Sequence, residues 1–190
     1  MSPTKFMQSL CALLCLAPPA AGAQNYVANG SFATDISGWQ LSGPPLPTWA
    51  TLDFQGDSHS GSALLVNDSA IANTHLYPLS QCITPPADTY LVSVRGFIPT
   101  GQTSGRLVLS YTAYDGPNCS GTLGDLGGQF LTQIGVWQSQ ALSFRIFNLP
   151  GASVRISLGI EKDAAGGVLQ GNFDSIALVE YLFADGFDGH

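Results

Sequence analysis

Charge is scarce in this chain. Charged residues make up 10% of its 190 residues, with six Lys and Arg against thirteen Asp and Glu. A nucleic-acid binder needs clustered Lys and Arg to displace counterions, so that class is set aside. Glutamate is rarer still: Glu161 and Glu180 are the two, and neither sits in a motif. Glycoside hydrolysis by paired carboxylates therefore has no local signature behind it. The three histidines, His59, His75 and His190, form no His-x-x-x-His zinc motif, and no Gly-rich phosphate loop occurs. Long apolar runs are missing beyond the first residues, so no membrane span is expected. No window of eleven or more residues keeps a helical period, which argues against an α or α/β fold.

What is present begins with an export signal. MSPTKFMQ carries Lys5, the apolar run LCALLCLA follows, and PPAAGA ends in an Ala-x-Ala step at Ala21 to Ala23. Residues 1–23 are expected to be a secretory signal peptide. Cleavage after Ala23 leaves 167 residues, enough for one domain with a core. Losing Lys5 leaves five basic residues against thirteen acidic, a formal charge of −8. The expected location is secreted, periplasmic or at the cell surface. Cys82 and Cys119 survive cleavage, and an oxidising compartment favours a bridge between them. Closing so long a loop stabilises by about 3–4 kcal/mol in the chain-entropy account. Zinc is the weaker alternative, since two isolated Cys make a poor site.

Strand signals dominate the rest. TYLVSVRGFI (89–98), RLVLSYTAY (106–114), ALSFRIF (141–147) and SVRISLGI (153–160) alternate and are rich in β-branched and aromatic residues. TLDF (51–54), SALLV (62–66), LSQCIT (79–84) and NFDSIALV (172–179) are further candidates. Clusters such as SGPPLP, GDSHSG, DGPNCSG and DAAGG separate them. About eight short strands predict an all-β sandwich or barrel. Parity places Leu107, Leu109, Tyr111 and Ala113 inward, with Arg106, Val108, Ser110, Thr112 and Tyr114 outward. Val154, Ile156, Leu158 and Ile160 share one face, and Arg155, Ser157 and Gly159 share the other.

The order NGSF with GW (29–39), HSGSALLV (59–66), LSQCI (79–83), TYLVSV (89–94), VWQS (136–139) and NFDSIALV (172–179) resembles the CenC-type carbohydrate-binding modules. These are galactose-binding-like jelly rolls. The resemblance spans roughly residues 25 to 180. It implies an all-β jelly-roll sandwich of two antiparallel sheets over 24–180, with a C-terminal tail at 181–190. It implies a first strand that starts from a tight turn at Asn29-Gly30, beside the last strand. It also implies a structural calcium, with Asp174 as a ligand. Ala33 stands where such modules often carry an acidic residue, which removes one ligand. Asp174 shares the parity of Ile176 and Leu178, and a buried carboxylate needs a cation or hydrogen-bond donors. The alternative is that Asp174 caps a backbone group at a strand end.

Catalysis has little support. His59 lies between Ser58 and Ser60 in a loop, where a triad with Asp57 would need residues from separate elements. Jelly-roll polysaccharide lyases would need His, Tyr and Arg clustered on strands, and Gln-Ile-His is absent, since 132–135 reads TQIG. The expected role is non-catalytic binding of a poly- or oligosaccharide by a monomer. Sugar rings stack on aromatic faces, and Trp49, Tyr114 and Trp137, with Arg95, are the expected contacts; packing is the alternative for each aromatic. The second reading is a structural or adhesive surface module that binds protein. The tail YLFADGFDGH is similar to a short C-terminal signature of exported bacterial proteins.

Overall fold

The computed structural model describes residues 24–86, 89–146 and 151–181. The expected signal segment and residues 182–190 of the tail lie outside the described residues. Ten strands follow one another: β1 (Gln40–Leu41), β2 (Thr48–Ala50), β3 (Ser62–Asn67), β4 (Thr74–Ile83), β5 (Thr89–Phe97), β6 (Gly105–Tyr114), β7 (Leu123–Leu131), β8 (Trp137–Arg145), β9 (Ser153–Lys162) and β10 (Leu169–Glu180). One turn of 3₁₀ helix, Pro117–Cys119, lies between β6 and β7. All strand ladders are antiparallel, in two five-stranded sheets ordered β1-β4-β9-β6-β7 and β2-β3-β10-β5-β8. The expected all-β sandwich of two antiparallel sheets is what the chain forms.

Alternation explains the sandwich. In β5, Tyr90, Val92 and Val94 are buried while Leu91, Ser93, Arg95 and Phe97 are half-exposed. In β6, Leu107, Leu109, Tyr111 and Ala113 are buried. Across the ladder they meet Ile160, Leu158, Ile156 and Val154 of β9, which are fully buried. A one-residue slip would turn every one of these side chains to water, so the burial fixes the register.

The first described segment lies against the last strand. Tyr26 donates its N–H to Leu178 O and Ile176 donates to Gly30 O, both at 2.9 Å. Asn25 accepts from Leu178 N–H at 2.9 Å and donates to Ile176 O at 3.3 Å. Gly30 must be glycine, because a Cβ there would overlap the Ile176 carbonyl. This seam also holds a register shift between Asp174 and Ala177, with Ser175 at φ 52°, so Asp174 lines up with Arg95 and Leu178 with the inward Val92, and the expected shared parity of Asp174 and Leu178 does not hold. Phe32 and Trp39 are buried beside it, their rings 5.6 Å apart.

Three details depart from the expectations. Residues 29–39 form turns rather than a strand, with Asn29 at φ 48° and Phe32 at φ 45°. TLDF (51–54) is not a strand either: Asp53 Oδ1 accepts the N–H groups of Gln55 and Asp57 at 2.7 and 2.9 Å and folds the segment into a loop. Val108 points outward yet is buried, for a reason that belongs to the site below. Cys82 and Cys119 form a disulfide with Cα atoms 5.9 Å apart.

Candidate functional site

The outer face of the β1-β4-β9-β6-β7 sheet is laid out in rows by register. Directly opposed residues on antiparallel strands point the same way, and same-face rows lie about 7 Å apart along the strands. The first row is His75, Glu161 and Arg106. The second is Gly159, Val108 and Phe130, with the ring of Tyr77 laid over Gly159. The third is Ser80, Ser157, Ser110 and Gly128, and the fourth is Cys82, Arg155, Thr112 and Leu126.

The second row is an aromatic platform. Tyr77 is 40% exposed and Phe130 50% exposed. They flank Gly159 and Val108, and this explains why Val108 is buried on an outer face. Gly159 makes the platform possible. A Cβ there would stand 2.6 Å from Tyr77 Cδ1 and 2.7 Å from Cε1, closer than carbon atoms approach. The third row carries only hydroxymethyl groups and a hydrogen atom, so it is lower than its neighbours. Four strands span about 14 Å across.

The first row fixes the platform. Glu161 is 5% exposed and accepts from three groups: Tyr77 Oη at 2.6 Å, His75 Nδ1 at 2.9 Å and Arg106 Nε at 2.7 Å. Burial alone would raise its carboxyl, but these partners outweigh it and hold the pKa below the ordinary 4.5. The same pairing works the other way on Tyr77. Desolvation and the hydrogen bond to Glu161 push its hydroxyl up to about 12. Arg106 in turn lies over the Phe130 ring, its Cζ 4.3 Å from the centroid. One buried carboxylate thus sets the position of both aromatic rings.

Each expected contact residue has a definite place. Tyr114 is on this face, half-buried, with Arg155 Cζ 5.4 Å from its ring centroid. Arg95 and Trp137 come together on the outer face of the opposite sheet. Arg95 donates to Ser139 Oγ and lies 4.3 Å over the Phe54 ring, and Phe54 and Phe97 pack on Trp137 at 6.0 and 5.5 Å. A shallow depression of about 240 Å³ there is lined by Arg95, Ser139 and Ser175. Trp49 takes the packing alternative. It opposes the fully buried Ala63, packs on the core, and donates Nε1–H to Phe32 O at 2.7 Å. Tyr77, Phe130, Glu161, Arg106 and His75 were not among the expected contacts. The alternation His75-x-Tyr77 was the available signal for two of them, and the glycines of LGDLGGQFL hid Phe130.

Asp174 is 1% exposed. Its Oδ2 accepts Phe54 N–H at 3.0 Å and its Oδ1 accepts Ser175 N–H at 2.5 Å. Burial pushes its carboxyl up, against the pull of these donors, and the charge of Asp53 adds to the rise. Asp174 thus caps two backbone N–H groups, at the irregularity inside β10 rather than at a strand end. Calcium takes six to eight oxygens, and Ala33 offers no side-chain donor. Among the described residues no group of three or more His, Cys, Asp or Glu could hold a metal ion.

Compared with protein-family models, the chain matches none, and no curated protein matches it in sequence. Solved structures do match. TmCBM61, a carbohydrate-binding module in complex with β-1,4-galactotriose, is 18% identical with a TM-score of 0.58, over 84% of this chain and 100% of that one. The C-terminal family 22 carbohydrate-binding module of Clostridium thermocellum Xyn10B is 19% identical with a TM-score of 0.58, over 84% and 96%. An arabinose-bound α-L-arabinofuranosidase, MgGH51, is 14% identical with a TM-score of 0.61, over 82% of this chain and 26% of the enzyme. What these identities share with the chain is the fold.

Proposed function

We propose that the protein is an exported, non-catalytic carbohydrate-binding module, similar to the CenC type, and that it binds a poly- or oligosaccharide across the outer face of the β1-β4-β9-β6-β7 sheet. The observation that carries this is the pair of exposed rings, Tyr77 and Phe130, the latter with Arg106 over one face, beside a row of serine hydroxyls. Apolar sugar faces stack on such rings while hydroxyl groups satisfy the polar edge. Two of the similar structures, TmCBM61 with galactotriose and the family 22 module studied for ligand binding in its cleft, support the same use of this fold.

His75, Tyr77 and Arg106 also form the kind of cluster that an eliminating lyase would need. The electrostatics speak against that role. A general base works best with a pKa near the operating pH, and Tyr77 is pushed to about 12. Glu161 already neutralises Arg106. The second reading, an adhesive module that binds protein, draws on the exposed Leu123, Leu126, Phe130, Ile134 and Val136 along and beyond edge strand β7.

Affinity electrophoresis against soluble galactan, xylan, arabinan and pectate tests the proposal. Retardation of the wild type that is lost in Tyr77→Ala and Phe130→Ala supports it. No retardation by any glycan leaves the protein-binding reading, and release of unsaturated sugars from pectate would make the protein an enzyme. A structural calcium at Asp174 is a separate proposal, resting on the burial of that carboxylate close to Asp53. Calcium should then raise the melting temperature of the wild type and not of Asp174→Asn; an unchanged wild type dismisses it.

A further inference from the structure

Resting on the reading that this outer face holds a glycan, we propose that the glycan is anionic and that Arg155 binds its carboxylate or sulfate group. Arg155 stands in the row next to the serines, opposed to Thr112 on one side and Cys82 on the other. The other basic residues of β6 and β9 are engaged. Arg106 pairs with Glu161, and Lys162 points inward, where its Nζ donates to the carbonyls of Ser69, Gly166 and Gly167. Arg155 has no carboxylate partner among the described residues. Its Nε is buried without a hydrogen-bond acceptor.

An unpaired guanidinium is unfavourable in a half-buried position, and structures normally supply it with an acceptor. The acidic residues adjoining its neighbours Tyr114 and Leu126 on this face already accept other donors. Asp115 Oδ1 accepts Thr122 N–H at 2.7 Å, and Asp125 accepts from the Tyr111 hydroxyl at 2.8 Å and from Leu126 N–H at 2.8 Å. The Tyr114 ring beside Arg155 holds the guanidinium by a cation–π contact and so pre-organises its planar fork. With Nε sealed from solvent, the end-on pair of Nη groups is what can meet a carboxylate or sulfate with two N–H donors. The chain as a whole is acidic, with a net charge of −7. A polyanion is therefore repelled by the protein in general, and an uncompensated Arg beside the serine row gives it one local point of attraction.

Titration calorimetry on the full chain tests this with four probes: tetragalacturonate, its fully methyl-esterified form, a sulfated galactan oligosaccharide, and neutral β-1,4-galactotriose. The expected result is that an anionic probe binds at least tenfold more tightly than the ester, with the difference shrinking at high salt. The tighter of galacturonate and sulfated galactan then assigns the source of the charge. Arg155→Gln should remove at least tenfold of the anionic affinity and leave the ester within about twofold. Arg155→Lys, which keeps charge but loses the fork, should fall between. Should Arg155→Gln fail to fold, the acid-to-ester ratio in the wild type decides alone. Equal binding of acid, sulfate and ester overturns the proposal while the glycan reading stands. If no probe binds, neutral or anionic, the glycan reading falls and takes this proposal with it.

Discussion

Replacing Gly159 by alanine probes the platform at its thinnest point. The new methyl would lie 2.6 and 2.7 Å from two ring carbons of Tyr77 and 3.0 Å from the Leu76 carbonyl oxygen. Carbon pairs rest at about 3.5–4.0 Å, so the ring must lift by about 1 Å. It has little freedom to do so, because its hydroxyl is tied to Glu161 at 2.6 Å. The carbonyl belongs to the backbone of β4 and cannot step aside without disturbing the ladder to β9. Overpacking of this kind costs about 1–3 kcal/mol. The stiffer unfolded chain returns about 0.4–1 kcal/mol of that. A net destabilisation of about 1–2 kcal/mol should appear in urea denaturation. Glycan binding should weaken further, since a displaced anchoring ring costs about 1–2 kcal/mol, or roughly 5- to 30-fold in Kd. Titration of the variant with the glycan the wild type binds best reads this directly. Unchanged stability together with unchanged affinity would refute the claim that Tyr77 rests on Gly159 as part of the binding surface.

Other perturbations separate the scaffold from the site. Lys162 is fully buried and bridges the loops after β3 and β9 through three carbonyls; Lys162→Met should cost about 3 kcal/mol, with melting temperature as the readout, because the carbonyls lose their donor. Glu161→Gln should cost about 1–2 kcal/mol at pH 7. The Glu161 pKa is lowered on folding, so its contribution is complete above the unfolded value near 4.5 and is lost as pH falls through the lower folded value. The wild type and the variant should therefore converge in stability as pH falls below 4.5 and through the lower folded value, and a gap that stays constant with pH contradicts the ion-pair account.

Much of the fold was legible because burial on one face imposes a period of two. The inward set of β6 and the division of β9 into two faces emerge from alternation alone. The adjacency of chain start and last strand came instead as what the resemblance carried by NGSF and NFDSIALV implies. What escaped notice did so for physical reasons. β7 is rich in glycine, which has low strand propensity, and it is formed by pairing with β6 rather than by its own preferences. β4 carries Pro78 at an irregularity between Leu76 and Leu79, so its first half, with His75 and Tyr77, did not look like part of a strand. Both omissions fall on the proposed binding face, so its two exposed rings escaped notice while its hydroxyl floor, Ser110 and Ser157, was placed correctly. Trp49 takes the packing alternative for a reason its sequence context hides: a tryptophan after a proline-rich loop looks exposed, while pairing with buried Ala63 and the hydrogen bond to Phe32 O turn it to the core. Arg155 was correctly placed outward, but its lack of a partner depends on where the carboxylates of other strands fall.

The central claim is that one sheet face, not the other, meets the glycan. Backbone amide chemical shifts recorded during titration with the best-binding oligosaccharide test it most directly. The account predicts shifts concentrated at Tyr77, Ser110, Gly128, Phe130, Ser157 and Gly159. Shifts concentrated instead at Arg95, Trp137, Ser139 and Ser175, on the opposite sheet, would contradict it.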